Sequence, residues 1–427
     1  MPEQRSSNTE EENRKCESAY LVTLKTSTCS HRDAENHLDE LRSLVRTMGL
    51  ETVGGEVYSL KQLHPGYLVG KGMAEKIINA AEDVGADLII FDDDLSPSQQ
   101  RNLEKLGGIT VIDRQEVILD IFASRASTRE ATLQVALARM EYSLPRLTRA
   151  WTHLSRQRGG GARSTRGEGE AQLEVDRRLL LRKITHLKSE LVKVQRQRAG
   201  RRRRRLSRPV PTAAIVGYTN AGKSTLLNAL TNAAVPIEDK LFATLDPTTR
   251  RVKISSSQEI LLTDTVGFIR KLPHSLVDSF KSTLEETVLA DFLIHVVDIS
   301  DLESEEHSKT TLKVLEEIGA ADKPVLTVYN KIDLLKNRDD YRLKQPGSIG
   351  VSILRKEGID RLLERIAEEA ARDMMESVFL IPMEEISLVA MARETGLILR
   401  EEYSDRGVDL HARVPGRIHA RLKPYTV

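Results

Sequence analysis

Eight residues, GYTNAGKS at Gly217–Ser224, decide the fold of this chain. They match the pattern G-x-x-x-x-G-K-[ST], follow the apolar strand candidate Ala213–Val216 and open the helical stretch STLLNAL, which is the context that the motif requires. The glycines let backbone N–H groups curl around phosphates, and the N-terminus of the next helix adds positive potential. The stretch therefore predicts a P-loop that binds a nucleoside triphosphate.

A second motif, DTVG at Asp264–Gly267, ends the strand candidate Ile260–Asp264. In a P-loop protein Lys223 should bridge the terminal phosphates, and Ser224 should offer its hydroxyl to Mg²⁺. We expect Asp264 to hold the same ion through a water molecule and the N–H of Gly267 to sense the γ-phosphate. Lys223 and Gly267 are therefore candidate catalytic residues.

The base-recognition motif is NKID at Asn330–Asp333, which ends the strand candidate VLTVY. The Asp333 carboxylate can accept hydrogen bonds from guanine N1–H and the 2-amino group. Adenine offers neither donor and would leave the carboxylate unpaired, and sites built in this way discriminate by roughly 10⁴–10⁵. Asn330 should tie this loop to the P-loop, and the Lys331 stem should cover the base. This motif favours GTP over ATP.

The two switch regions are less completely specified. The switch loop, LFATLDPTTR at Leu241–Arg250, must supply a hydroxyl to Mg²⁺, and spacing alone does not choose among Thr244, Thr248 and Thr249. Ras-like proteins place a water-orienting Gln directly after D-x-x-G, where this chain has Phe268. We therefore expect slow intrinsic hydrolysis that a partner, or a group elsewhere in the chain, completes.

The other strand and helix candidates predict four parts. The fold class is α/β: a P-loop G domain with a doubly wound, mostly parallel sheet, an N-terminal α/β domain, an antiparallel helical hairpin and a small C-terminal α+β domain. In the N-terminal domain the turn Gly70-Lys71-Gly72 precedes a helix predicted to start near Met73, and it is either a structural turn or a phosphate site. The predicted boundaries are 1–16 for a disordered tail, 17–130 for the N-terminal domain, 131–208 for the hairpin, 209–375 for the G domain and 376–427 for the C-terminal domain.

The hairpin is predicted from two heptad seams. Apolar residues recur at spacings of 4 and 3 from Leu133 to Leu154, where Pro145 should interrupt the helix, and again from Leu180 to Val194. The glycine-rich stretch 159–169 between the seams should not be helical. Residues 139–208 contain 21 Lys and Arg but only 6 Asp and Glu, a net charge of +15 in a chain whose total is +1. This excess, which includes Arg163, Arg166 and the run Arg201–Arg205, predicts binding to a polyanion.

Composition excludes several classes of protein. Aromatic residues make up 4% of the 427 residues, too few for a surface of stacked bases. The two cysteines, Cys16 and Cys29, fit no metal spacing and are too few for a disulfide framework, so we expect a reducing, cytoplasmic location. No apolar run approaches the roughly 18 residues that a membrane-spanning helix needs.

Beyond these motifs, the chain resembles the HflX family of GTPases over nearly its whole length. DKLFATLDPTTRR and DTVGFIRKLPH are the stretches that most clearly separate this family from its Obg and Era relatives. The stretches that carry the resemblance are Tyr67–Gly72, Val111–Phe122, Gln172–Arg178, Asp239–Arg251 and Asp264–His274.

The resemblance implies a function and a set of site residues. Family members bind the large ribosomal subunit, and some split stalled or idle ribosomes, so the polyanion would be ribosomal RNA and the chain would act as a monomer in the cytoplasm. Thr244 matches the family's Mg²⁺ ligand in the switch loop and joins the candidate catalytic residues. The implied GTP, GDP and Mg²⁺ contacts are Gly217, Tyr218, Thr219, Asn220, Ala221, Gly222, Lys223, Ser224, Phe242, Ala243, Thr244, Leu245, Asp246, Asp264, Thr265, Val266, Gly267, Asn330, Lys331, Ile332, Asp333, Ser352, Ile353 and Leu354.

The chain departs from the family's pattern at three places. The family's G-P-G-E at the hairpin tip is GEGE here, with Glu168 for the proline, and the following Thr is Ala171. The guanine-contacting S-A-K loop is Ser352-Ile353-Leu354, in which the N–H of Ile353 can still reach guanine O6. Three alternatives stay open: an assembly or quality-control factor that does not split ribosomes, an RNA remodeller with an ATP site in the N-terminal domain, and a signalling switch without RNA.

Overall fold

A computed structural model describes residues 18–27, 29–149, 166–206, 210–231, 241–254, 258–272, 281–336, 347–372 and 374–427. The chain divides into two compact units. The first comprises Met1–Ser124 and Val135–Lys188, and the second comprises Arg125–Gln134 and Ser189–Val427. The predicted tail and most of the predicted hairpin tip, including Arg163, lie outside the described residues.

The N-terminal part of the first unit is a four-stranded parallel sheet with strand order β2-β1-β3-β4. Helix α1 begins at a capping box between Ser30 and Asp33 and ends at Gly49, which has a positive φ of 90°. The helices and strands are β1 Ser18–Lys25, α1 His31–Met48, β2 Glu51–Ser59, α2 Lys71–Asp83, β3 Leu88–Phe91, α3 Pro97–Gly107, β4 Thr110–Asp113 and α4 Arg114–Arg125.

The sequence of strand β2, ETVGGEVYS, does not predict a strand, because it contains two glycines and has no clear alternation of apolar and polar residues. The glycines allow the backbone of β2 to lie close to the residues of β1. A Cβ atom on Gly55 would lie 2.9 Å from the Cβ of Leu21 on the neighbouring strand. Strand pairing therefore outweighs the weak strand propensity of glycine.

The predicted Gly70-Lys71-Gly72 turn is the start of a helix. Gly70 is the N-cap of α2 and makes no side-chain capping hydrogen bond, and the helix begins at Lys71, two residues earlier than predicted. Lys71 is exposed and pairs with Glu75 one turn later, at 3.7 Å. The turn thus has a structural role in helix initiation, and its use as a phosphate site stays a prediction.

Helix α5, Arg129–Ser143, ends where Pro145 was predicted to interrupt it, and a 3₁₀ helix, Leu144–Arg149, follows. Arg146 in that 3₁₀ helix donates hydrogen bonds to the carbonyl oxygen of Leu95, at 2.6 Å, and to the buried carboxylate of Asp113, at 3.2 Å. These bonds fasten the end of this helical segment to the carboxyl end of the N-terminal sheet.

Helix α6, Arg166–Leu206, is 41 residues long. In its predicted seam Ile184 and Leu191 are buried. The prediction that the whole glycine stretch is non-helical is wrong at its end, because Gly167 and Gly169 lie inside α6. A glycine costs only about 1 kcal/mol in a helix, and the first turn of so long a helix tolerates that cost. The predicted antiparallel hairpin stays a prediction, since residues 150–165 are not described.

The G domain contains a six-stranded sheet with strand order β10-β9-β8-β5-β7-β6. All pairs are parallel except β6 with β7, and apolar clusters cover both faces. The predicted doubly wound, mostly parallel sheet is confirmed. The elements are β5 Thr212–Val216, α7 Lys223–Thr231, β6 Thr248–Lys253, β7 Glu259–Asp264, α8 Lys281–Leu289, β8 Phe292–Asp298, α9 Ser304–Glu317, β9 Val325–Asn330, β10 Ile349–Gly350 and α10 Ile359–Ala371.

The C-terminal region has the predicted α+β structure. It is an antiparallel sheet with strand order β11-β13-β12, and two helices pack on the sheet to form one apolar core. Its first helical segment is a 3₁₀ turn, Met383–Glu385, followed by α11, Ile386–Thr395, and a second helix follows the last strand. Within the described ranges, every helix is too short or too polar to cross a bilayer. The other elements are β11 Met374–Ile381, β12 Leu397–Ser404, β13 Gly407–Pro415 and α12 Gly416–Leu422.

Candidate nucleotide site

The P-loop connects β5 to α7 at the carboxyl end of the central strand. Two of its glycines have a conformation and surroundings that only glycine accepts. Gly217 has φ +151°, and a Cβ there would lie 2.3 Å from the Val296 carbonyl oxygen; Gly222 has φ +99°, and a Cβ would lie 2.3 Å from Nδ2 of Asn330. The loop is therefore shaped by its contacts with β8 and with the base-recognition motif.

Lys223 is buried at the start of α7, and its Nζ donates a hydrogen bond to the Tyr218 carbonyl oxygen at 2.7 Å. Burial lowers the pKa of this ammonium group to about 8, although the nearby Asp264 carboxylate acts in the opposite direction. A phosphate group in the P-loop would favour the charged form. The geometry thus holds an ammonium group inside the P-loop, where it can form an ion pair with the phosphates of a bound triphosphate.

Three oxygen-bearing side chains meet beside Lys223. Ser224 Oγ lies 2.7 Å from Thr244 Oγ1, and both hydroxyls donate to Asp264 Oδ2, at 2.6 and 2.9 Å. The second oxygen, Oδ1 of Asp264, is buried without a hydrogen-bond partner. Hydroxyl and carboxylate oxygens are the ligands that Mg²⁺ prefers, so these residues fit the ion that the sequence predicts.

Burial raises the pKa of the Asp264 carboxyl, and the Lys223 charge and the two hydroxyl donors act against that rise. In the described part of the chain, three or more His, Cys, Asp or Glu side chains nowhere gather as a metal site. The set formed by Ser224, Thr244 and Asp264 has only one carboxylate, so phosphate oxygens and water would have to complete the shell of an ion there.

Of the three threonine candidates in the switch loop, only Thr244 lies in this group. Thr248 and Thr249 belong to strand β6, and Thr249 Oγ1 lies 2.9 Å from Thr263 Oγ1 on the neighbouring strand. The unpredicted strand β6 therefore removes two of the alternatives that spacing left open. On both sides of Thr244 the loop is fixed by buried side chains, Phe242 and Leu245.

Asp246 was predicted to contact the nucleotide, but its carboxylate is hydrogen-bonded to the segment that precedes α5. It accepts hydrogen bonds from the backbone and hydroxyl groups of Ser127 and Thr128. Burial raises the pKa of Asp246, but these hydrogen bonds outweigh that effect and hold it below its ordinary value. No sequence motif pointed to Ser127 and Thr128, because they lie more than 110 residues away in the chain.

The segment after β7 is hydrogen-bonded to the P-loop. The Phe268 N–H donates to the Gly217 carbonyl oxygen at 3.1 Å, and the Thr219 N–H donates to the Phe268 carbonyl oxygen at 2.8 Å. The preceding residue, Gly267, is packed tightly against the P-loop, since a Cβ atom there would lie 3.0 Å from Lys223 Nζ. Thr265, predicted as a nucleotide contact, instead donates its hydroxyl to the Ile215 carbonyl oxygen inside the sheet.

The side chain of Phe268 points into the protein. It is 2% exposed and packs in an apolar cluster with Val216 and Leu293. Tyr218, whose hydroxyl accepts a hydrogen bond from the Arg270 N–H at 2.8 Å, stacks on His307 with ring centroids 3.8 Å apart. The position that carries a water-orienting Gln in Ras-like proteins is therefore filled by a core residue.

The base-recognition loops converge as the sequence predicts. Asn330 Nδ2 donates to the Ala221 carbonyl oxygen at 2.9 Å, which ties the motif to the P-loop. Asp333 has a side chain only 8% exposed, and Arg355, which the sequence reasoning missed, lies 3.6 Å from its carboxylate. Lys331 has φ +64° and pairs with Asp298 at 2.6 Å.

The S-A-K-like loop contacts the base-recognition motif through Ile353, whereas Leu354 is exposed. The Ile353 N–H, predicted to reach guanine O6, points toward Asn330 Oδ1 at 3.4 Å. Ser352 is buried, and its hydroxyl accepts a hydrogen bond from the Arg355 N–H at 3.3 Å. Leu354 is 86% exposed.

A P-loop, an oxygen cluster suited to Mg²⁺ and a buried carboxylate for guanine together define a P-loop GTP-binding protein. Comparisons with known proteins agree. Family models match three segments, described as "GTP-binding GTPase N-terminal" over residues 35–123, "GTP-binding GTPase Middle Region" over 125–205 and "50S ribosome-binding GTPase" over 212–331.

Full-length relatives identify the family. The chain is 46% identical to GTPase HflX of Akkermansia muciniphila over 96% of its own length and 97% of the relative's, and 44% identical to GTPase HflX of Escherichia coli K12 over 93% and 94%. It belongs to the HflX family of GTPases and is a GTP hydrolase. Among solved structures, a GTP-binding protein of Sulfolobus solfataricus in complex with GDP is 26% identical, covers 83% of this chain and 99% of its own, and has a TM-score of 0.43.

Thr244→Ala is expected to lower kcat/KM for Mg²⁺-dependent GTP hydrolysis by about 10²-fold, the scale for losing one group that stabilises transition-state charge. The substitution removes the hydroxyl of one of the three side chains that would hold the ion. Phosphate release measured across a range of Mg²⁺ concentrations checks it. Thr249→Ala is the matched control, because its hydroxyl pairs within the sheet; equal losses in the two variants would contradict the assignment.

Proposed function

We propose that this GTPase binds the large ribosomal subunit, is stimulated by it to hydrolyse GTP, and separates ribosomal subunits. The observation that carries the proposal is the net charge of +15 concentrated between residues 139 and 208. A charge excess of this density supports binding to RNA, because each contact with a phosphate releases a counterion. The description of the matching G-domain model as a 50S ribosome-binding GTPase supports the same partner.

The length of helix α6 supports a role for this segment in reaching into a large partner. Its 41 residues correspond to about 60 Å at 1.5 Å per residue, and the helix includes the run Arg201–Arg205. A basic helix of this length can contact RNA phosphates along many of its turns. We therefore assign RNA contact to the predicted hairpin.

The inward position of Phe268 supports the proposal that a partner stimulates hydrolysis. With this side chain in the core, the residue after D-x-x-G orients no water molecule, so slow hydrolysis by the isolated chain is expected. The ribosomal subunit would supply or organise the group that places the attacking water. GTP binding would order the switch loop, and hydrolysis would release it.

In the proposed reaction the residues of the site have separate roles. Lys223 contacts the terminal phosphates, the Gly267 N–H donates to the γ-phosphate, and Asp333 accepts from guanine. Ser224, Thr244 and Asp264 would hold Mg²⁺, the last through water, and the bound ion would neutralise charge on the β- and γ-phosphate oxygens.

Measuring GTP hydrolysis with and without purified large subunits, beside sedimentation profiles of 70S ribosomes, tests this function. We expect stimulated hydrolysis, co-sedimentation in a GTP analogue, and conversion of 70S particles to subunits. Co-sedimentation should weaken steeply between 50 and 200 mM salt, by roughly 10³-fold or more if at least six phosphates are contacted. Unstimulated hydrolysis together with absence from the ribosomal fractions would refute the proposal.

An assembly or quality-control GTPase without splitting activity is the second candidate, and the GEGE sequence at the hairpin tip favours it. Glu168 places a negative charge where RNA contact is proposed. Glu168→Pro should increase splitting without changing basal hydrolysis, because proline is compatible with the first turn of a helix. Subunit binding and stimulated hydrolysis without any splitting, in both forms, would favour this second candidate.

A further inference from the structure

Residues 125–134 comprise the end of α4, the connection to α5 and the first turns of α5, and they group with the G domain and not with the N-terminal sheet. Two of them contact the switch loop. Ser127 donates to Asp246 Oδ2 from its backbone N–H at 3.1 Å and from its hydroxyl at 2.6 Å. Thr128 donates to Oδ2 from its N–H at 3.0 Å and to Oδ1 from its hydroxyl. We call this four-bond contact the Asp246 clasp.

The clasp lies at the N-terminal end of α5. The Thr128 carbonyl oxygen accepts from the Thr132 N–H at 2.9 Å, and its hydroxyl also accepts from the Ala131 N–H at 3.2 Å, so Thr128 caps the helix. A carboxylate is favoured there by the free N–H groups and the helix dipole. The bonds are charge-assisted, and a carboxylate that receives four of them is strongly localised even though Ser127 and Thr128 are exposed.

The clasp is only two residues from the metal position. Asp246 follows Thr244 and the buried Leu245, and Thr244 lies within hydrogen-bond distance of Ser224 and Asp264. Two residues span at most about 7 Å, so Thr244 cannot move far while Asp246 is held. On its other side the loop is fixed by Phe242, which is 2% exposed and has φ +56°, a strained conformation that persists only where the surroundings impose it.

We propose that Ser127 and Thr128 are positioning residues for the GTP site: by holding Asp246 they hold Thr244 beside the triphosphate and so couple the nucleotide state to the start of helix α5. The coupling rests on the proposed role of Thr244 at the metal, and it is independent of the ribosomal proposal. Coupling free energies are reciprocal. If GTP binding stabilises the clasp, the clasp therefore stabilises bound GTP by the same free energy. GDP, which lacks the γ-phosphate that orders a switch loop, should gain nothing from it.

The test uses the full chain without ribosomes and compares affinity for a non-hydrolysable GTP analogue in Mg²⁺ with affinity for GDP. In the double variant Ser127→Ala/Thr128→Ala we expect analogue affinity to fall by about 5- to 30-fold, within the usual range of coupling between sites, and GDP affinity to stay within about twofold. Ser127→Thr/Thr128→Ser, which keeps both hydroxyls, should restore analogue binding. Thr132→Ala is the matched control on the same helix, since its hydroxyl donates to the Thr128 carbonyl oxygen and, among the described residues, makes no bond to Asp246.

Asp246→Ala completes a double-mutant cycle. Alone it should reproduce the loss of the double variant, and combined with it should add little. Equal losses for analogue and GDP, unchanged affinity for both, or additive losses would each overturn the proposal. A loss in the clasp variants with full analogue affinity in Thr244→Ala would overturn the route through Thr244. None of these measurements depends on ribosome binding, which the sedimentation assay judges separately.

Discussion

Lys223→Ala should lower kcat/KM for GTP by about 10²–10³-fold, comparable to losing one preorganised group that stabilises transition-state charge. The ammonium group is buried, is oriented by the Tyr218 carbonyl oxygen and interacts electrostatically with the Asp264 carboxylate. Without it, the terminal phosphates would have to enter a buried site in which the Asp264 carboxylate has lost the nearby ammonium group. Single-turnover phosphate release and equilibrium binding of a fluorescent GTP analogue measure the two parts of the effect.

Lys253→Ala is the matched control for this experiment. Lys253 lies on β6 of the same domain and is exposed, so its loss changes the net charge of the domain equally without touching the P-loop. Thermal unfolding without nucleotide shows whether the Lys223 variant remains folded. Turnover within about tenfold of the wild-type value in a folded Lys223→Ala protein would contradict the assigned role.

Asp333→Asn should reverse the base preference, with GTP affinity reduced by about 10³-fold or more and xanthosine triphosphate preferred. An amide offers a donor where the carboxylate offers only acceptors, and the C2 oxygen of xanthine can accept from it while the guanine 2-amino group cannot. Since Asp333 is 8% exposed, the mismatch would occur in a site where unpaired polar groups are costly. Competition binding with GTP, XTP and ATP reads out the change.

The control here is Asp360→Asn, an exposed carboxylate on α10 of the same domain. Arg355→Ala is informative as well, because it removes the cation 3.6 Å from Asp333 without altering the hydrogen-bonding groups offered to the base. It should weaken all purine triphosphates modestly and leave their order unchanged. Unaltered GTP selectivity in Asp333→Asn would refute base recognition by this carboxylate.

The nucleotide loops could be predicted from sequence because their chemistry is local. Gly217, Lys223 and Asp333 each sit within a short motif at the end of a strongly apolar strand, and the carboxyl ends of parallel strands meet at one edge of a sheet. The hydrogen bond from Asn330 to the Ala221 carbonyl oxygen follows from the same geometry. Strands β5, β7 and β9 were located within one residue of their ends for the same reason.

The features that escaped prediction depend on pairing with distant segments. Strand β6 has one buried residue, Val252, in the sequence TTRRVK, so it forms because β7 offers an open edge. The glycines at the start of α6 predict a loop from local sequence, and only the long helix that follows explains why they are helical. The Asp246 clasp joins residues separated by more than 110 positions. Serine, threonine and aspartate are common in loops, so their presence does not predict that they contact one another.

The inward side chain of Phe268 also limits how this protein can evolve. A substitution to glutamine, which would imitate Ras-like enzymes on paper, would bury an amide among Ala214, Val216 and Leu293, at a cost of about 1–3 kcal/mol if it stays unpaired. It would present no group to water. Fast turnover without a partner would therefore not be reached by this single substitution, and the proposed dependence on an activator would lie in the core as well as at the catalytic surface.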